Sequence, residues 1–169
     1  MGRGFEPHPP HLPDMARRVL VRETDQVTRA VIVDLDGTLV DVREILHHVS
    51  GEQRNFHAFH AASATAPAHD EVVAAVRAAK AHGLAVLVVT SREFIWRDLS
   101  LDWLAAHDVP YDQLVMRVVG DYRPDHVVKA EMLDQLEADG YAVEQAWEDS
   151  PDIVDLWRSR GIEVHVPED

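Results

Sequence analysis

Short apolar runs alternate with helical periodicity along most of this chain. From about residue 29, β-branched apolar stretches at 30–35, 84–90, 112–117, 142–147 and 162–166 read as buried strands. Between them lie four helical patterns. "HDEVVAAVRAAKAHG" places Val72, Val76 and Ala79 on one face and stops at Gly83. "REFIWRDLSLDWLAAHD" offers Trp96, Leu99 and Trp103 at helical spacing. "RPDHVVKAEMLDQLEADG" does the same with Val128, Met132 and Leu136, and ends at Gly140. "SPDIVDLWRSRG" starts with Ser150 as an expected cap and Pro151 at the first helical position, and stops at Gly161. Strands alternating with helices predict an α/β domain, a doubly wound and mainly parallel sheet. In such sheets ligands bind beyond the carboxyl ends of the strands.

Those ends are polar where the strands are not. The first runs "VIVDLDGTLVD" and closes on Asp34 and Asp36, and carboxylates at the end of a buried strand are costly unless something compensates them. The second ends in Thr90-Ser91-Arg92 and the fourth in Glu148-Asp149, with Lys129 early in the preceding helix. Carboxylates, a hydroxyl and a lysine converging on one crevice form an inventory for holding a divalent cation and a phosphate together. In that reading Asp34 is a nucleophile that forms an acyl phosphate. Asp36, two residues on, points to the same side and exchanges protons with the leaving oxygen and with water. Gly37 lets the backbone turn beside the phosphate. Thr90 donates to the phosphoryl group and Lys129 neutralises its charge. Asp149 joins Asp34 and Asp36 as the expected metal carboxylates, with Mg2+ as the cation. Glu148 orients water or Lys129, and Asp152 is either a further support or only a helix-start charge.

The segments "DLDGTLV", "VVTSRE", Lys129 and "EDSPD" resemble, in order, the four motifs of the haloacid dehalogenase (HAD) superfamily, over about residues 29–166. Aspartate at position 36 resembles the phosphatase branch. "VMRVVGDYRPDHVVKAEML" and "WEDSPDIVDLWRSRGIEV" are more closely similar to the phosphatase domain of the phage polynucleotide kinase/3′-phosphatase family. That resemblance implies a HAD-like Rossmann-type sheet and magnesium-dependent removal of 3′-phosphates from nucleic-acid ends through an aspartyl-phosphate. It also implies substrate-side roles for Ser91, Arg92, Arg117 and Arg123, beside Gly37. Glu148 stands where the phage family has aspartate. Residues 41–67 occupy the position of a cap insertion but are too short for a cap domain, and the interval from Thr90 to Lys129 leaves no room for a second one. An open site suits large substrates or chain ends.

Composition narrows the alternatives. Net charge is −14, from 16 basic and 30 acidic residues, which argues against tight nonspecific duplex binding. A small phosphorylated metabolite or nucleotide is therefore the alternative substrate, and a non-catalytic module recognising phosphorylated ends is the alternative of another class. No "GxxxxGK[ST]" loop occurs, so the kinase half of that family is absent from this sequence, and a separate kinase or ligase is a candidate partner. There is no cysteine, no apolar run near the roughly 20 residues of a membrane span and no signal-peptide core, so the expected location is cytoplasmic. His47, His48, His57 and His60 are read as rim residues over the site rather than a zinc set, since no cysteine or "HExxH" accompanies them. Residues 1–14, rich in proline, glycine and histidine, are expected to be a flexible leader that extends to residue 25, with the domain covering 26–169.

Overall fold

The structure, a computed structural model, describes residues 26–168, so the expected leader lies outside the described residues. Five strands form one sheet: β1 (Thr28–Val33), β2 (Ala85–Glu93), β3 (Gln113–Arg117), β4 (Tyr141–Trp147) and β5 (Glu163–His165). Their order is β3-β2-β1-β4-β5 and every pairing is parallel. Five helices connect them: α1 (Phe56–Ser63), α2 (Asp70–Ala81), α3 (Arg97–Ala106), α4 (Asp125–Ala138) and α5 (Pro151–Ser159). The α/β doubly wound reading therefore holds.

The period of two along β1 divides the core. Val31 and Val33 face α2 and α3, where they meet Val72, Val76, Trp103 and Leu104. Ala30 and Ile32 face α4 and α5, where they meet Val128, Leu133, Ile153 and Trp157. Both faces of the sheet are covered, which is why the strands read as continuous apolar runs rather than alternating ones. The chain winds outward from β1 to β2 and β3, then crosses to β4 and β5. The direction reverses between β1 and β4, which opens a crevice at their carboxyl ends.

Two expectations need correction. Trp96 is not part of α3: a 3-10 turn, Phe94–Trp96, precedes the helix, and Trp96 stands at its cap position. The buried face of α3 is Ser100, Trp103 and Leu104, with Leu99 only half-buried. Ser150 stands at the cap position of α5, yet its side chain makes no capping bond, because the amides of Ile153 and Val154 donate to its carbonyl instead. The interval 41–67 holds a 3-10 turn, Leu46–His48, and the two-turn α1.

Candidate active site

A cleft of about 730 Å³ opens at the carboxyl end of the sheet, with Asp34, Asp36, Thr90, Lys129, Glu148 and Asp149 in its wall. β1 delivers Asp34, which is 6% exposed, and the turn after β4 delivers Glu148 and Asp149. Lys129 reaches in from the first turns of α4 and is 3% exposed. Its ammonium donates to Asp34 Oδ1 at 2.9 Å and to Glu148 Oε2 at 2.7 Å. Glu148 Oε1 accepts from the Ser150 amide at 3.1 Å, so both Glu148 oxygens are occupied. Glu148 thereby locks Lys129 and the start of α5 in place.

The charges do not balance within this group. Asp34, Glu148 and Asp149 offer ligand atoms that all lie within 4.8 Å of one another, and one ammonium faces three carboxylates. Burial raises the proton affinity of Asp34 well above the carboxylate range, and Glu148 adds to it while Lys129 opposes it. Burial likewise raises Glu148. For Lys129, burial pulls downward, but Asp34 and Glu148 outweigh it and hold the ammonium charged. Among the described residues no donor reaches Asp34 Oδ2. Asp149 Oδ1 accepts from the Thr38 hydroxyl at 3.0 Å, which aims that carboxylate toward the cluster. Open oxygens on Asp34 and Asp149, with surplus negative charge, fit one hard divalent cation that keeps further sites for phosphate oxygens. Asp36 is outside this cluster.

Gly37 makes the approach of Asp149 geometrically feasible. It has φ of +82°, and a Cβ built on it falls 2.2 Å from Asp149 Oδ2 and 2.7 Å from its Cγ. Gly37→Ala is expected to carry left-handed strain of about 1–2 kcal/mol and to push the Asp149 carboxylate aside. The measurable result is a higher magnesium concentration for half-maximal activity. An unchanged magnesium dependence would refute this account of Gly37.

Arg92 fills a structural place. Its side chain is 1% exposed, and its guanidinium donates to both Asp36 oxygens, from Nε at 2.7 Å and Nη2 at 2.6 Å. Two further donors go to Ser63 Oγ on α1 at 2.8 Å and Ser100 Oγ on α3 at 3.1 Å. Arg92 thus orients Asp36 and ties two helices to it. The Thr90 hydroxyl oxygen accepts from the Arg92 amide at 3.2 Å, which leaves its proton to donate elsewhere. Ser91 Oγ, also in the cleft wall, is buried and has no partner.

The other two arginines are similarly committed. Arg117 pairs with Asp125 and donates to the carbonyls of Ser91, Asp121 and Arg123, which fixes the loop before α4. Arg123 is bound two ways to Asp121 and two ways to Glu131. These bonds hold Asp121 down to about 2. Asp152 lies outside the cleft, beside His126 in a shallow depression along α5.

Another part of the wall comes from α1 and the turn before α3. Phe56, His57, Phe59, His60, Ile95 and Trp96 line it, so two of the four histidines stand at the rim as expected. His57 and His60 pack on the Trp96 ring at 5.1 and 5.3 Å. Burial pulls the His60 imidazole down to about 4, so it is neutral at pH 7. Thr38 lies within the first motif without an expected role there, and Ser63, Ser100 and Arg54 have no motif around them, although Arg54 also lines the cleft.

Comparison with known proteins identifies the family. The family profile described as polynucleotide kinase PNKP phosphatase domain matches residues 28–166. Comparison with curated proteins gives no match. Two solved chains, from the Pnkp1/Rnl/Hen1 RNA repair complex and from a Pnkp1/Rnl/Hen1 complex, are 27% and 26% identical, with TM-scores of 0.69 and 0.70. The alignments cover 83% and 98% of this chain but 42% and 55% of those chains, so it spans about half their length. A class C acid phosphatase from Bacillus anthracis with tungstate bound shares the fold at 12% identity and TM-score 0.58, over 80% of this chain and 61% of that one. With the four motif positions gathered in one crevice and the profile spanning every strand of the sheet, the chain belongs to the PNKP phosphatase-domain family of HAD phosphatases.

Proposed function

We propose that this protein is a magnesium-dependent phosphomonoesterase that removes 3′-phosphates from nucleic-acid ends through a phosphorylated Asp34. The observation that carries the reading is the asymmetry of Asp34: Oδ1 is held by Lys129, while Oδ2 is open to the cleft beside Asp149 and Thr90. Magnesium held by Asp34 and Asp149 supplies the positive charge that offsets repulsion between a carboxylate and a phosphate dianion. In the first step Asp34 Oδ2 bonds to phosphorus, the bond from phosphorus to the leaving oxygen breaks, and Asp36 gives that oxygen its proton. In the second, water attacks phosphorus, Asp36 takes its proton, and the bond to Asp34 breaks to release inorganic phosphate. Lys129 and the Thr90 hydroxyl hold the phosphoryl oxygens throughout. Both Asp36 oxygens accept from Arg92, so Asp36 turns from the guanidinium toward the leaving oxygen to exchange its proton.

The substrate class has its own support. Its support is the family, the open cleft, and the RNA repair complex that contains one of the similar chains. The same similarity supports a separate kinase or ligase acting alongside. The acidic net charge of −14 supports the alternative, a small phosphorylated nucleotide or metabolite. Phosphate release from an oligonucleotide with a 3′-phosphate, compared with a 5′-phosphate and with free nucleotides, separates the two. We expect the 3′-phosphorylated oligonucleotide to be preferred and release to stop with chelator. Equal turnover of free nucleotides would transfer the protein to metabolite dephosphorylation.

A further inference from the structure

Five cationic side chains line the cleft: Arg54, Arg92, Arg117, Arg123 and Lys129. Four are spoken for. Arg92 is bound to Asp36, Arg117 to Asp125, Arg123 to Asp121 and Glu131, and Lys129 to Asp34 and Glu148. Among the described residues Arg54 alone of the five has no ion pair or hydrogen bond. It is exposed, and it stands just before α1, whose first residues form the aromatic wall. In a chain of net charge −14, one unneutralised guanidinium at the mouth of the cleft has a strong local effect on an approaching anion.

The surroundings of Arg54 point the same way. Phe56, Ile95 and Tyr122, which also line the cleft, are 55%, 63% and 89% exposed. Trp96 packs against the rings of His57 and His60 at 5.1 and 5.3 Å, which supports its indole from two sides. A cation next to a braced aromatic surface is the arrangement that takes a single-stranded backbone, with the base on the ring and the phosphodiester on the guanidinium.

We propose that Arg54, with Phe56, His57 and Trp96, forms a second subsite that takes the internucleotide phosphodiester and base adjacent to the terminal phosphate. This rests on the function proposed above and deepens it. The chemistry of the Asp34 cluster is indifferent to what the phosphate is attached to, and Arg54 with its wall confers selection for oligonucleotide ends over mononucleotides. The three arginines that the motifs singled out shape the pocket, while an arginine outside every motif reads the chain.

Two measurements test this. The first is binding of a 5′-labelled trinucleotide bearing a 3′-phosphate, by fluorescence anisotropy with Mg2+ over a salt series, to Asp34→Asn protein with and without Arg54→Gln. Arg54→Gln should weaken binding by about tenfold and reduce the slope of log K against log salt by about 0.7, the value of one single-strand phosphate contact. Arg54→Lys should restore the slope. Trp96→Leu should weaken binding by about tenfold and leave the slope as it was. The second is kcat/KM for the trinucleotide against a nucleoside 3′-monophosphate. The otherwise unmodified protein should prefer the trinucleotide by about tenfold, mostly through KM, and Arg54→Gln should erase the preference. An unchanged salt slope in Arg54→Gln, or equal kcat/KM for the two substrates before any change at Arg54, overturns the subsite. If neither substrate is hydrolysed, the proposed function falls, and the anisotropy series still decides whether Arg54 holds a phosphodiester.

Discussion

Replacing Asp34 with asparagine is expected to lower phosphate release by on the order of 10^4-fold or more, while the protein remains folded. An amide keeps the shape and can still accept from Lys129 through its carbonyl oxygen, but it offers no anionic oxygen to attack phosphorus. The fold should tolerate the change because Asp34 is a buried carboxylate crowded by Glu148 and Asp149, and removing its charge relieves that crowding. Lys129 retains Glu148 as its partner. Thermal unfolding without divalent cation should show a midpoint no lower than that of the unmodified protein. A residual rate within about tenfold of the original, at a level inconsistent with contamination, would remove Asp34 from the role of nucleophile.

Lys129→Met is expected to act on both stability and rate. Among the described residues the ammonium is the only cation hydrogen-bonded to the two buried carboxylates, Asp34 and Glu148. Its removal leaves them uncompensated, a situation that costs about 3–5 kcal/mol. Urea unfolding in chelator reads that loss directly. Magnesium should restore part of it, since a bound cation also offsets the carboxylates. Adding Glu148→Gln should restore another part, because the pair share one electrostatic problem and their effects are not additive. Phosphate release should fall by about 10^2–10^3-fold even where the protein is folded. Full stability of Lys129→Met in chelator would mean that the buried acids are neutral without it.

What the sequence disclosed follows from what each signal depends on. The strands were visible because both faces of the sheet are buried, which forces unbroken apolar runs such as Val31–Val33 and Val86–Val89. Asp34, Asp36 and Lys129 stood out because charged residues at strand ends, or on a buried helix face, contradict their surroundings. α1 was harder to read: its eight residues, Phe56–Ser63, bury only Phe59 and Ser63, too few for a periodic pattern. Trp96 misled because spacing counts residues and does not see the 3-10 turn that ends at it. Arginine gives no sign in the sequence of whether it meets a ligand or a neighbouring acid. Arg92 and Arg54 look equivalent there, and only coordinates show one enclosed by Asp36, Ser63 and Ser100 and the other unengaged.

The central position of β1 also bears on how the protein is made. Asp34 and Lys129 are 95 residues apart in the chain, and β4, which completes the other side of β1, is translated after Lys129. At about 5–20 residues per second, a ribosome takes on the order of ten seconds to cover that interval. β2 can pair with β1, and β3 with β2, during the wait, but the opposite edge of Ala30–Val33 stays open, apolar and ready to pair with a strand of another chain. Nascent chains should therefore be most prone to aggregate, and most in need of a chaperone, after β3 emerges and before β4 does. Because Asp34 cannot meet Glu148 and Asp149 until that edge closes, the first appearance of phosphatase activity would mark the end of folding.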